Sequence, residues 1–184
     1  AYFQNIQDYI YLEPQDEFRL TIRGAFPVFL YRQTDANIYG GDLLMTYEPR
    51  KELKFIAKYA IVRGDDIIKN IALVNIPADN IYASINYSFP NLKSWKNNFI
   101  SANGTYTFKQ WRVTADQDFL PPPEAYFLLG MKAGTSLQFK ESSLKITLTV
   151  ENLLNEKYRD YLNRLRYFAD DLGTNISLGI NYTF

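Results

Sequence analysis

The chain has 184 residues and is formally neutral, because 20 Lys and Arg balance 20 Asp and Glu, so its charge gives no reason to expect a nucleic-acid partner. It contains no His and no Cys, which removes the usual general base, the commonest metal ligand and thiol chemistry. We therefore expect no enzyme, no cofactor and no metal site.

Tyr and Phe are frequent, with 15 and 13 residues, as is typical of β-strands and of the aromatic girdles of membrane barrels. No stretch approaches the roughly 18 consecutive apolar residues of a membrane helix. The first residues also lack the basic and apolar regions of a signal peptide. A membrane location would therefore require strands, in a chain that is mature or partial.

Alternation of apolar and polar residues predicts about eight strands of the length that crosses a membrane. In chain order these are residues 2–13, 26–48, 52–63, 80–89, 96–111, 125–139, 143–153 and 174–184. The alternation is weakest in the first strand and strictest in the last. The second strand is long for one crossing, and Gly40 and Gly41 predict a bulge or bend within it.

The predicted connections alternate in length. Long ones cover residues 14–25, 64–79, 112–124 and 154–173, and short ones lie near residues 47–53, 89–95 and 139–144. Outer-membrane barrels pair short periplasmic turns with long external loops in this way. The pattern predicts an all-β fold, an antiparallel up-and-down transmembrane barrel segment, with every long connection on one side.

The apolar faces decide between lipid and a soluble core. Alternation alone also fits a soluble sandwich, whose apolar face is buried. Here the apolar faces end in Tyr or Phe, and they exclude Lys, which would cost about 2–4 kcal/mol at the middle of a membrane. The aromatic residues at the strand ends are Tyr47, Tyr87, Phe89, Phe139, Tyr182 and Phe184. We therefore favour lipid.

The carboxy-terminal stretch, residues 150–184, resembles the end of TonB-dependent outer-membrane receptors. The shared elements are Asn152-Leu153, the turn from Asn155 to Tyr158, Gly173-Thr174-Asn175 and the final Phe184. Residues 8–14, 33–49 and 75–89 also look like barrel segments of that family. One departure is that the family's last loop often carries a His near the position of Tyr161.

The resemblance implies the C-terminal arc of a barrel of about 22 strands with a plugged lumen. At the spacing seen here such a barrel would need on the order of 500 residues besides its plug, and this chain contains no stretch resembling a plug or a TonB box. The implied function is active import of a scarce nutrient, such as a ferric siderophore, across the outer membrane of a Gram-negative bacterium. The implied partners are the rest of the barrel and its plug, TonB acting through the plug, the barrel-assembly machinery and outer-membrane lipid.

Two sets of candidate functional residues follow. Basic and aromatic residues of the long connections suit an anionic ligand, and they are Arg112, Arg159, Tyr161, Arg164 and Arg166. Loop packing and lipopolysaccharide contact are the alternatives for these residues. Resemblance to outer-membrane proteins implies that Ile180, Tyr182 and Phe184 form the terminal signal read by the assembly machinery.

Other motifs and functions are weaker. Arg63-Gly64-Asp65 spells an adhesion tripeptide, but it lies where a strand enters a loop, and Gly-Asp is ordinary turn chemistry. The acid pairs Asp65-Asp66 and Asp170-Asp171 lack the spaced oxygens of a calcium loop. A complete small eight-stranded barrel with a structural or adhesive role, and a soluble β-domain that binds a partner, stay open as alternatives.

Overall fold

A computed structural model of the chain describes residues 1–114 and 117–184, apart from the side chain of Asp16. The described residues form nine strands and one 3₁₀ helix (Arg164–Tyr167). The strands are β1 (Tyr2–Thr21), β2 (Gly24–Arg50), β3 (Leu53–Asp66), β4 (Ile71–Ala72), β5 (Asn80–Ser88), β6 (Trp95–Thr107), β7 (Tyr126–Gln138), β8 (Ser143–Glu151) and β9 (Asn175–Thr183). No helix within the described part of the chain is long and apolar enough to cross a membrane.

The strands form one antiparallel sheet in the order β1-β2-β3-β5-β6-β7-β8-β9, and the two-residue β4 pairs with the end of β3. Each long strand therefore lies beside its neighbour in sequence, without a crossover. This confirms the all-β, up-and-down fold class. In such a meander every second connection lies at the same end, so the predicted placement on one side is also confirmed for the three long connections that follow β3, β6 and β8.

The first predicted long connection, residues 14–25, is wrong. Residues 18–21 of β1 pair with residues 24–27 of β2, and the hairpin turns at Ile22 and Arg23. A register shift between Pro14 and Phe18 accommodates the polar residues that suggested a loop. Because pairing with β2 satisfies the backbone on both sides of this bulge, the hairpin extends well beyond the rest of the sheet.

The sequence predicts a bulge or bend at Gly40 and Gly41, and the bulge is wrong, since β2 pairs with β3 without interruption through both residues. Gly40 is instead a point of close approach. A Cβ atom there would lie 2.2 Å from the carbonyl oxygen of Ile61 and 2.8 Å from the hydroxyl of Tyr2. The absence of a side chain therefore allows the Tyr2 ring to lie over the sheet.

The register gives the sheet two chemically different faces. One row across four strands joins Ile100, Ala133, Leu148 and Leu178, and the adjacent row joins Ser101, Lys132, Thr149 and Ser177. The large side chains of the apolar face are exposed along the sheet, with Leu43, Met45 and Leu178 each about two-thirds exposed. We call these the apolar face and the polar face.

The sheet is an open arc. Among the described residues β1 pairs only with β2, and β9 pairs only with β8. Each outer strand therefore has one unpaired edge. The alternative of a complete small barrel does not fit this arrangement, since such a barrel joins its first strand to its last.

The buried core is small and lies at the end with the long connections. Leu73 and Ile76, from the segment after β3, pack with Ala36 of β2, and Tyr9 and Val62 border this cluster. The Leu73 amide donates to the carbonyl of Gly64 at 3.0 Å. The core therefore fixes a loop to the polar face and leaves the apolar face uncovered.

Candidate functional site

Three connections and the β1–β2 hairpin meet at one end of the sheet. We call residues 67–79, the described residues of 108–125 and residues 152–174, together with that hairpin, the loop cap. All five predicted ligand-binding residues lie in it. Its contacts show which side chains hold the loops together.

Asn152 organises the base of the last loop. The residue is buried and has a φ of +48°, a region in which Asn is several-fold enriched. Its side-chain oxygen accepts from the Glu156 amide at 2.8 Å, and its amide nitrogen donates to the carbonyls of Glu156 and Leu172 at 2.9 and 3.2 Å. One side chain thus ties the start of the loop to its end.

Asn155 and Gly173 complete this arrangement. Asn155 has a φ of +52°, and its side-chain oxygen accepts from the Thr174 amide at 3.1 Å. A Cβ atom on Gly173 would lie 2.5 Å from that same oxygen, so the close approach requires glycine. The Thr174 hydroxyl donates to the Asn152 carbonyl at 2.8 Å.

We call Asn152, Asn155, Gly173 and Thr174 the loop clamp. These are residues on which the resemblance to the receptor family depends. Their contacts are with one another and with the loop backbone, and they position β9 directly after the loop. In this structure, therefore, the sequence pattern has a structural explanation that needs no ligand.

Arg166 is the centre of the loop cap. Its guanidinium pairs with Asp118, and the two side chains are only 3% and 8% exposed. The Arg166 guanidinium also lies 4.9 Å from the centre of the Tyr161 ring and 4.7 Å from that of Tyr167. The Tyr167 hydroxyl donates to Asp118 at 2.6 Å. Burial, reinforced by this hydrogen bond to a carboxylate, raises the pKa of Tyr167.

An aromatic cluster joins the same two loops to the hairpin. The Phe119 ring lies 5.4 Å from the rings of both Phe18 and Phe29, and 5.5 Å from that of Tyr167. Its contacts with Phe29 and Tyr167 have the edge-to-face geometry that aromatic quadrupoles favour. The extended hairpin thus provides one wall of the loop cap.

The other predicted arginines have different surroundings. Arg159 donates to Asp170 at 2.7 Å, and Arg112 donates to Asp65 at 2.5 Å. The Arg164 guanidinium lies 5.7 Å from the centre of the Phe29 ring. All five residues therefore lie in the loop cap, but only Tyr161 and Arg166 contact each other, while Arg164 lies against the hairpin and Arg112 is held at the end of β3. Ligand binding by all five stays a prediction, and the ion pairs support the loop-packing alternative for Arg112, Arg159 and Arg166.

The predicted assembly signal consists of two residues on the apolar face of β9 and the residue that follows the strand. Ile180, Tyr182 and Phe184 are all more than half exposed, and the rings of Tyr182 and Phe184 lie 6.3 Å apart. They therefore extend the apolar face along the outermost strand. Their role as a signal stays a prediction.

Sequence reasoning missed a depression of about 500 Å³ in the polar face. Its walls include Tyr82, Asn103, Lys132 and Thr149. Gly130 leaves space at its floor, because a Cβ atom there would lie 2.9 Å from the Asn103 amide oxygen. The alternation placed these residues on one face, but the curvature that makes a depression arises only in the folded sheet.

The remaining motifs have structural explanations. Arg63 forms a bidentate pair with Asp79 at 2.5 and 2.7 Å, and Asp65 accepts from Tyr39 at 3.0 Å. The Arg63-Gly64-Asp65 tripeptide is therefore engaged within the chain. No cluster of three or more potential metal-binding His, Cys, Asp or Glu side chains occurs in residues 1–114 and 117–184.

An open, two-faced antiparallel meander with long connections at one end has the architecture of a segment of an outer-membrane β-barrel. No family model matches the chain, and no curated protein matches it. Among solved structures, the chain is similar to the copper transporter OprC, with a TM-score of 0.68 and 19% sequence identity. The match covers 98% of this chain and 26% of that transporter, so the chain spans about a quarter of its length. At this identity the similarity establishes the fold.

Proposed function

We propose that the chain forms part of the wall of an outer-membrane transporter, with its apolar face toward lipid and its polar face toward the lumen. The observation that carries this proposal is the long, continuous apolar face, which nothing in the described chain covers. In water such a surface would be a strong aggregation liability. In a bilayer it is the required surface of a barrel.

We further propose that this segment is the C-terminal arc of a TonB-dependent receptor barrel in a Gram-negative outer membrane. The resemblance of residues 150–184 to that family supports it, as does the match of nearly the whole chain to part of a larger transporter. The unpaired edges of β1 and β9 would then pair with the remaining strands. The plug, TonB acting through it, and the barrel-assembly machinery are the further partners proposed.

For the cargo we propose a chelated nutrient, such as a ferric siderophore, rather than a bare metal ion. The chain has no His or Cys, and both Met45 and Met131 lie in apolar rows of the sheet, so its polar face presents none of the soft ligands that copper prefers. Arg164 is the candidate contact with an anionic chelate, since the other three arginines of the predicted site are already paired with carboxylates. These are Arg112, Arg159 and Arg166.

Cysteine labelling of the full-length protein in outer-membrane vesicles tests the orientation. Leu178 and Ser177 are neighbours on β9 that face opposite sides of the sheet. In a background without other cysteines, Leu178→Cys should react with a membrane-soluble maleimide and resist a water-soluble one. Ser177→Cys is the matched control and should show the reverse preference. Equal reaction of both variants with the water-soluble reagent would refute a lipid-facing wall.

Uptake by cells tests the transport function. Ferric chelates of catecholate and carboxylate siderophores are the probes, supplied to cells with and without TonB. Uptake that requires both this protein and TonB is expected, and Arg164→Ala should weaken it, whereas Lys145→Ala, near the short-connection end of β8, should not. A fully assembled barrel that gives no uptake of either chelate would contradict the proposed cargo and leave the orientation untouched.

A further inference from the structure

We propose that one ordered water molecule, bound between Asp66 and Gln117, fastens residues 117–125 to the end of β3. Asp66 is the last residue of β3 and is only 1% exposed. One of its carboxylate oxygens accepts three hydrogen bonds, from the Thr34 hydroxyl at 2.7 Å and from the amides of Ile68 and Lys69 at 3.0 and 2.8 Å. These hydrogen bonds hold the turn that leads from β3 into residues 67–79.

The other oxygen of Asp66 is buried and accepts no hydrogen bond from residues 1–114 or 117–184. The side-chain oxygen of Gln117 is buried and is likewise without a donor in that part of the chain. Both residues line the same small cavity. A buried acceptor without a donor costs roughly 1–3 kcal/mol, so two of them beside one cavity indicate an occupant that donates.

The size of the cavity and its surroundings identify that occupant. The cavity measures about 10 Å³, close to the roughly 10–15 Å³ that one water requires. A water molecule has two protons to donate, and two acceptors are available. Tyr11 and Glu13 also line the cavity, but the Tyr11 hydroxyl already donates to Glu13 at 3.2 Å.

A cation fits this cavity less well than water. The Lys69 ammonium lies 2.9 Å from the Tyr11 hydroxyl and 2.7 Å from the Glu13 carboxylate, and Arg32 contacts the same carboxylate at 2.9 Å. Lys69 and Arg32 therefore already neutralise the Glu13 carboxylate, and Tyr11 carries no charge. A bound cation would be repelled by Lys69 and would lack the six or so oxygen ligands that a calcium ion takes.

The location gives the water a structural role. Gln117 directly precedes Asp118 and Phe119, which hold Arg166 and the aromatic cluster. A water bridge at Gln117 would therefore connect the sheet to the contacts between the two longest loops. The water bridge belongs to the fold of the loop cap and does not depend on the cargo.

Two variants of the full-length protein test the proposal by hydrogen exchange. Gln117→Leu removes one acceptor with little change in size, and exchange of the Phe119 amide should become about tenfold faster. Gln138→Leu, which changes an exposed residue at the opposite end of the sheet, is the control and should leave the exchange rate of the Phe119 amide unchanged. Asp66→Asn keeps the acceptor of the turn and presents its NH₂ to the water, so exchange should stay within about twofold of the parent.

A crystal structure of the full-length protein at a resolution that shows ordered water gives the direct result. Density within hydrogen-bonding distance of both oxygens, retained in Asp66→Asn, is expected. An empty cavity would overturn the proposal, as would a direct contact between the Gln117 amide and Asp66. A cation is the third contrary outcome, recognised by short contacts to several oxygens and by its loss in Asp66→Asn.

Discussion

Replacement of Asn152 by Ala should open the last loop while the barrel itself stays folded. The Asn152 side chain makes three hydrogen bonds within the loop clamp, and each contributes about 0.5–1.5 kcal/mol. The backbone φ of +48° adds about 1 kcal/mol for Ala, which adopts this region less readily than Asn. Together these give a loss of about 2.5–5.5 kcal/mol, and even its lower end makes opening of the loop on the order of a hundred times more frequent.

The assay is hydrogen exchange of the Asp171 amide, which donates to the Tyr158 carbonyl at 2.9 Å across the loop. Heat-modifiable migration on a gel first confirms that the barrel has assembled, and amides in the β7–β8 ladder serve as the internal control. Asn152→Gly separates the two contributions, because Gly accepts a positive φ but cannot make the hydrogen bonds. Exchange at Asp171 within a few-fold of the parent in Asn152→Ala would refute the loop clamp.

Three further predictions concern other parts of the chain. Phe184→Ser should lower the amount of assembled barrel far more than a burial loss of roughly 1.5–3 kcal/mol implies, and an unchanged heat-modifiable band would refute the signal role. Arg166→Ala should make residues 152–174 sensitive to protease, because it leaves Asp118 buried without its partner at a cost of about 3–5 kcal/mol. The double variant Arg166→Leu, Asp118→Leu removes both charges and should recover part of the resistance. If it recovers none, the buried ion pair is not the cause of the sensitivity. Hydrogen bonding to Lys69 lowers the pKa of Glu13, in the hairpin beyond the β2–β3 ladder, from about 4.5 to about 2. A carboxylate whose pKa is lowered in the folded protein makes its full contribution to stability at pH values above the pKa of the unfolded chain. This contribution should therefore be lost as the pH falls from about 4.5 toward 2. Faster exchange of the 67–70 amides in that pH range measures the loss, and Glu13→Gln, which cannot titrate, should show no such pH dependence.

Strands with one apolar and one polar face could be predicted from local sequence. Alternation depends only on the geometry of an extended chain, in which successive side chains point to opposite sides. β5, β7, β8 and β9 therefore lie within one or two residues of the predicted bounds. The order of the strands follows because short connections join neighbours.

The first hairpin could not be predicted in the same way. Residues 14–25 contain Pro, acidic residues and Gly, which locally favour a loop. They form strand because β1 and β2 provide partners for one another over a long distance, and a bulge absorbs the irregular residues. Pairing between distant residues overrides local preference when it satisfies the backbone on both sides.

The candidate site, too, has features that local sequence predicts and features that depend on contacts between distant residues. The sequence by itself determined which arginines and aromatics lie in long connections, and that the chain has one face suited to lipid. Only the tertiary structure decided that Arg166 is buried against Asp118, that Arg112 and Arg159 are paired, and that Asn152 holds the last loop closed. Except for the local bonds of the loop clamp, these partners are separated by 11 to 48 residues in the sequence. Nothing in a periodic pattern specifies which carboxylate an arginine meets, because that choice depends on how separate loops pack over the end of the sheet.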